Sequence, residues 1–182
     1  MIGDAVMAVL ASAGGRGLTH RAVDRHLGWP EGTTSRYFRT RDALLTAGVN
    51  RLVDIDLAQL EVWEHEQLDR AQTTIEDIAR IFRAAYESWT GPAAERQIAR
   101  YELSLEGQRR RAVHAAIIAG RERINESIGH LLGTAGCKER WTHATALVSY
   151  LDGLVHDRLL HPEVAAAPDK VEDLFLRSLR SC

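Results

Sequence analysis

Glu31, Gly32, Thr33, Ser35 and Arg36 follow directly on the segment Leu27-Gly28-Trp29-Pro30. This spacing puts a carboxylate, two hydroxyls and a guanidinium on the first turns of a short helix that starts after a glycine-containing turn. Hydroxyls there can hydrogen-bond base edges or phosphates, and a Thr methyl can touch a thymine methyl. Small residues let such a helix sit deep in a major groove. Other chemistry is harder to assemble. Ser149, Asp152 and His156 supply the residue types of a hydrolytic triad, but they lie along one continuous helical stretch. No strained nucleophile turn or oxyanion nest accompanies them. There is no HExxH, phosphate loop or dinucleotide fingerprint, and the eight histidines are scattered. No catalytic residue, metal site or cofactor is therefore expected. Cys137 and Cys182 are far apart without a CxxC, and free thiols are the expectation.

The elements that position these groups are helices. Apolar residues recur at three- and four-residue spacing, no stretch alternates as a strand does, and Ala is the commonest residue. A first helix over about 2–13 carries the stripe Ile2, Ala5, Val6, Val9 and Leu10, and Gly14-Gly15-Arg16-Gly17 ends it. Thr19 caps a second helix that buries Ala22, Val23 and Leu27. Gly28 closes that helix, and a third runs over about 31–37. Thr40 caps a long fourth helix reaching about residue 66. Five more follow, over about 73–90, 93–107, 110–132, 138–160 and 168–181. Capping-box patterns open the first and last of these, Thr73-x-x-Glu76 and Asp169-x-x-Glu172.

The fold class expected is all-α: a three-helix N-terminal helix-turn-helix domain over residues 1–45, and a six-helix domain over 46–182. Residues 1–45 hold six Arg against four acids, whereas the whole chain has a net charge of −2. That asymmetry suits a DNA-facing head on a body that does not face DNA. No run of about 18 apolar residues is present, so no membrane span is expected. The start, Met1-Ile2-Gly3-Asp4-Ala5, lacks the basic region of a signal peptide, and a cytoplasmic protein is expected.

The stretch from Gly17-Leu18-Thr19 through Gly28, Gly32-Thr33, Tyr37-Phe38 and Asp42-Ala43-Leu44-Leu45 resembles the TetR family of transcriptional regulators. About ten positions match in one register. The resemblance implies that Thr19 and Arg21 contact phosphate or a groove edge. It implies that Glu31, Thr33 and Ser35 face bases, that Gly32 beside them is part of the DNA-binding surface, and that Arg36 and Tyr37 grip phosphates or flanking edges. Arg41, opening the fourth helix, would hold a phosphate with help from the helix N-terminus. Phe38, Leu44 and Leu45 would be core. The sequence departs from the family at Ser35 and Arg36, where aromatic residues are usual. It departs also at Trp29, Glu31 and Arg39, where a small apolar residue, Lys and Pro are common.

The resemblance further implies binding of double-stranded DNA as a homodimer, paired through the last two helices, and release by a small molecule. Aromatic residues are enriched in the second domain. A ligand pocket is expected among Trp63, Phe82, Tyr86, Trp89, Tyr101, His114, Ile118 and Tyr150. Its occupant would be apolar or aromatic. Each of these aromatics can equally be core, and the apolar stripes of the last two helices can be core or interface. Arg100-Tyr101-Glu102-Leu103 can hold a buried ion pair. The rival readings are a helical small-molecule- or protein-binding module with no specific DNA site and, ranked lower, a hydrolase built on Ser149, Asp152 and His156.

Overall fold

The computed structural model describes residues 1–67 and 73–180. Among them the chain forms nine α-helices: α1 (Ile2–Gly17), α2 (His20–Leu27), α3 (Thr33–Tyr37), α4 (Arg41–Gln67), α5 (Ile75–Thr90), α6 (Ala94–Gly107), α7 (Arg111–Thr134), α8 (Arg140–Leu160) and α9 (Val171–Leu179). A 3-10 turn over Pro168–Lys170 leads into α9. No described helix is long and apolar enough to cross a membrane.

Two units divide the chain. The first comprises Met1–Asp56 and Glu95–Glu122. Its core is Val6, Leu10, Leu18, Val23, Leu44 and Leu45, closed by Ala99 and Leu103 of α6 and Val113 of α7. The three-helix head thus borrows apolar cover from residues far along the sequence. α1 loses regular geometry at Gly14, whose φ of 65° suits a residue without Cβ. The tail that follows is anchored by polar groups. Glu102 accepts from the Gly15 N–H at 2.7 Å. On the same helix, Arg100 donates to Asp56 at 2.5 Å and to Gln97 at 2.7 Å. The Arg100-to-Leu103 stretch does hold a largely buried ion pair.

The second unit comprises Leu57–Ala94 and Arg123–Cys182. Its core joins Phe82, Tyr86 and Trp89 of α5 to Leu147, Leu151 and Val155 of α8 and Val171, Phe175 and Leu179 of α9. The Phe175 ring stacks on Phe82 with centroids 4.6 Å apart and meets Tyr150 edge-on at 5.4 Å. The buried part of the α8 and α9 stripes, Leu147, Leu151, Val155, Val171, Phe175 and Leu179, belongs to this core.

Three local expectations are corrected. The capping box of α5 forms one residue later than predicted: Thr74 Oγ1 accepts from Asp77 N at 3.2 Å, and Asp77 accepts from Thr74 N at 2.8 Å. Thr73-Thr74-Ile75-Glu76-Asp77 offers a Thr-to-acid pair in both registers, and the helix starts where Asp77 also receives Arg80. The box predicted at Asp169 and Glu172 does not form. Lys170 is the N-cap residue and makes no side-chain cap, while Glu172 pairs with Arg83 at 3.2 Å. Finally, Cys137 is disulfide-bonded rather than free. Cys182 lies outside the described residues.

Candidate nucleic-acid interface

α2 and α3 are joined by a turn that needs a glycine. Gly28 caps α2 in the left-handed region, with φ 68° and ψ 25°. Its N–H bonds Arg25 O at 3.2 Å, and Trp29 N–H bonds Asp24 O at 2.8 Å. The last carbonyls of α2 are satisfied in this way and the chain turns toward α3. Thr19 caps the other end, accepting from Ala22 N–H at 3.0 Å.

α3 has only five residues, too few to persist alone in water. Its N-cap residue, Gly32, has no side chain to cap it. Asp24 of α2 does that from outside. This fully buried carboxylate accepts from Gly32 N at 2.8 Å, Thr34 N at 2.8 Å and Thr34 Oγ1 at 2.5 Å. Burial pushes its pKa up, but the hydrogen bonds from Thr34 and Gly32 and the nearby His20 outweigh burial and hold it below the ordinary carboxylate value. At the other end, His20 Nε2 donates to Phe38 O at 2.6 Å. α3 is pinned to α2 at both ends.

Pinning leaves its outer face open. Tyr37 is 68% exposed, and Arg36, Glu31 and Arg21 are exposed as well. Arg21 and Glu31 form a solvated pair at 3.4 Å. Trp29 lies 6.5 Å from the Tyr37 ring. Thr33 Oγ1 donates to Pro30 O at 2.6 Å, and Ser35 Oγ donates to Gly32 O at 2.8 Å. With their protons committed to these carbonyls, both hydroxyl oxygens keep the capacity to accept.

Arg41 stands apart from this surface. Its guanidinium donates to the carbonyls of Leu18 and Gly15 and sits 3.6 Å from Glu106. Leu44 and Leu45 are fully buried and Phe38 packs at the edge of the same core.

The residues expected to line a pocket fall in both units. Trp63, Phe82, Tyr86 and Trp89 are buried in the second unit's core, and Tyr150 packs against it. Tyr86 donates to Ala166 O at 3.4 Å. Tyr101, His114 and Ile118 belong to the first unit. There His114 lines a surface cleft of about 390 Å³ with Gly107 and Arg110, and Ile118 is 45% exposed. Of the triad types, Ser149 donates to Thr145 O at 2.8 Å, and His156 lies 3.5 Å from Asp157.

Sequence reasoning missed the roles of Asp24, His20 and Glu106. A clue existed for Asp24, an acid one helical turn before Leu27 on the apolar side of α2. It missed Glu64 too, whose carboxyl is pushed up by partial burial and by Glu61.

The fold and this helix pair define a helical, helix-turn-helix transcriptional regulator. Residues 73–181 match the family described as Tetracyclin repressor-like, C-terminal domain. The chain belongs to that family, the TetR-type regulators. Solved structures agree along nearly the whole chain. A TetR family member from Streptomyces coelicolor A3 is 27% identical with a TM-score of 0.71, covering 97% of this chain and 95% of its own. The multidrug binding protein EbrR, complexed with imidazole, is 26% identical with a TM-score of 0.70, covering 97% of this chain and 92% of its own. A transcriptional regulator from Rhodococcus sp. Rha1 is 20% identical and shares the fold, with a TM-score of 0.76 over 98% of this chain and 91% of its own. No curated protein matches the sequence.

Proposed function

We propose that this chain is a repressor that binds a palindromic operator as a homodimer and leaves it when a small molecule occupies the C-terminal helices. The observation that carries the reading is α3 itself. It is pinned at both ends by Asp24 and His20 while its outer face stays open. A helix held in that way can present a fixed set of groups to a major groove.

In this reading Thr33 and Ser35 accept from base amino groups, and Glu31 and Gly32 flank them. Thr19, Arg21, Arg36 and Tyr37 bind phosphates, and Arg41 joins them from the start of α4. A two-fold dimer would set two such helices about 34–36 Å apart, or a multiple of that. Thr145, Ala146, Ser149 and Gly153 give α8 an exposed face of small residues on which a second copy can pack closely. The head and its DNA partner fit a cytoplasmic protein.

The ligand we infer is apolar or aromatic. EbrR, about as similar to this chain as any of the neighbours named, is solved with ethidium at 25% identity and with proflavin at 26%. The aromatic content of α4, α5 and α8 supports a ligand of that kind.

An electrophoretic shift with the DNA flanking the chain's own gene tests the reading. A retarded band that survives random competitor DNA and weakens with salt is expected. No shift at low salt with any genomic fragment would overturn it. Proflavin titration of the DNA-free protein, followed by tryptophan fluorescence, tests the ligand class. Saturable quenching is expected, because Trp63 and Trp89 are buried in the second unit.

A further inference from the structure

Arg41 opens α4, where a cation beside the helix N-terminus is well placed for phosphate. Yet its side chain turns inward and is only 29% exposed. Two of its N–H groups go to the carbonyls of Gly15 and Leu18, in the tail of α1 beyond the Gly14 break. Those partners are neutral. Its charged partner is Glu106 of α6, 3.6 Å away and 13% exposed.

Glu106 is itself firmly placed. Arg110 Nε donates to its other oxygen at 2.8 Å, and Arg110 Nη1 donates to Asp42 at 2.5 Å. One turn earlier on α6, Glu102 holds the Gly15 N–H. Burial pushes the Glu106 carboxyl up, but Arg110 and Arg41 outweigh it, so it stays ionised. The start of α4, the tail of α1 and the end of α6 are thus joined by one chain of charges: Asp42, Arg110, Glu106, Arg41.

We propose that Glu106 is a positioning residue for DNA binding: it holds the Arg41 guanidinium inside the head, and Arg41 grips phosphate only by exchanging Glu106 for it. This rests on the DNA-binding reading above. A guanidinium has five donors in a rigid fork. It can keep its carbonyl partners while the remaining donors trade one anion for another. Phosphate and Glu106 then compete for a single charge, and Glu106 repels the backbone it faces. The head is held below its full affinity by a contact in its own chain.

Glu106→Gln tests this, since it keeps the shape and an acceptor for Arg110 while removing the charge. The full chain is titrated with random-sequence duplex DNA over a range of salt. E106Q is expected to bind roughly fivefold tighter at low salt, with the slope of log affinity against log salt steeper by about one. Adding Arg41→Ala removes both gains. Glu102→Gln deletes a neighbouring charge that does not touch Arg41, and should give a clearly smaller gain. Glu106→Asp keeps a charge for Arg110 but draws it back by one methylene. It should give a weaker gain in the same direction, and it serves if E106Q does not fold. Unchanged affinity and slope in both Glu106 variants would overturn the proposal. So would a gain that survives Arg41→Ala, or one that E102Q equals. A wild-type chain that binds no duplex at any salt would overturn the DNA-binding reading and this proposal together. Binding by the wild type with no response at Glu106 overturns this proposal alone.

Discussion

The two units are held together by different physics. The second rests on stacked apolar surface: Phe82, Phe175 and Tyr150 meet ring to ring, with Leu147, Leu151 and Val155 around them. In the first, an apolar core lies under α1, α2 and α4, but the orientation of α3 and of the α1 tail is set by polar contacts. Apolar burial is roughly proportional to area and has no direction. It stabilises a body without fixing a helix to within a few degrees. Hydrogen bonds from a buried carboxylate do fix direction, and they are costly to leave half made. A regulator needs both: a sturdy body, and a short helix whose side chains meet base edges in one arrangement.

This contrast can be broken at several points. The largest loss is expected from Phe175→Ala, which opens a cavity against Phe82 and Tyr150. It should destabilise the second unit by about 4 kcal/mol, read from denaturant unfolding. Far less than about 2 kcal/mol would mean that the aromatic stack is dispensable. Asp24→Ala comes next. It strands the N–H groups of Gly32 and Thr34 and should cost about 3 kcal/mol. It should also erase the preference for operator over random DNA at temperatures where the protein stays folded. An unchanged preference would show that α3 is oriented by packing alone.

Acidification acts on the same contact. The Asp24 carboxyl sits below its ordinary value when folded, so the stability it contributes is full above the unfolded carboxylate pKa. That stability is lost as pH falls through the lowered folded value. Asp77 behaves alike at the start of α5, where burial is outweighed by Thr74 and Arg80. Acid unfolding of Asp24→Asn should therefore show a shallower dependence on pH below about 4 than the wild type. A parallel curve would assign the acid lability elsewhere. The smallest effect is at Ser35→Ala: about 1–2 kcal/mol against the operator, little against random DNA and no change in melting. Equal loss on both duplexes would remove Ser35 from base reading.

Much of this was legible in the residues. Thr19, Gly28 and Thr40 mark helix ends because capping and positive φ are local demands, and the structure places a cap at each. The apolar periodicity of α5 and α9 located the second core, since one face of an amphipathic helix must be buried. Three things were not legible. Asp24 finds Thr34 across a turn, and Arg41 finds Glu106 across 65 residues; neither pairing leaves a trace in spacing. The two overlapping registers at Thr73 and Thr74 could not be separated without knowing that Asp77 also meets Arg80. And Trp63, Phe82, Tyr86 and Trp89 read as pocket or core from sequence alone, because a ligand wall and a core use the same side chains.

The central claim is that α3, held by Asp24 and His20, reads a DNA sequence. Selection of bound duplexes from a random library by the full chain tests it most directly, with Asp24→Ala run beside it. A converging two-fold motif is expected for the wild type and a flat, salt-sensitive background for Asp24→Ala. Equal retention of all sequences by the wild type, or the same motif from both proteins, would contradict it.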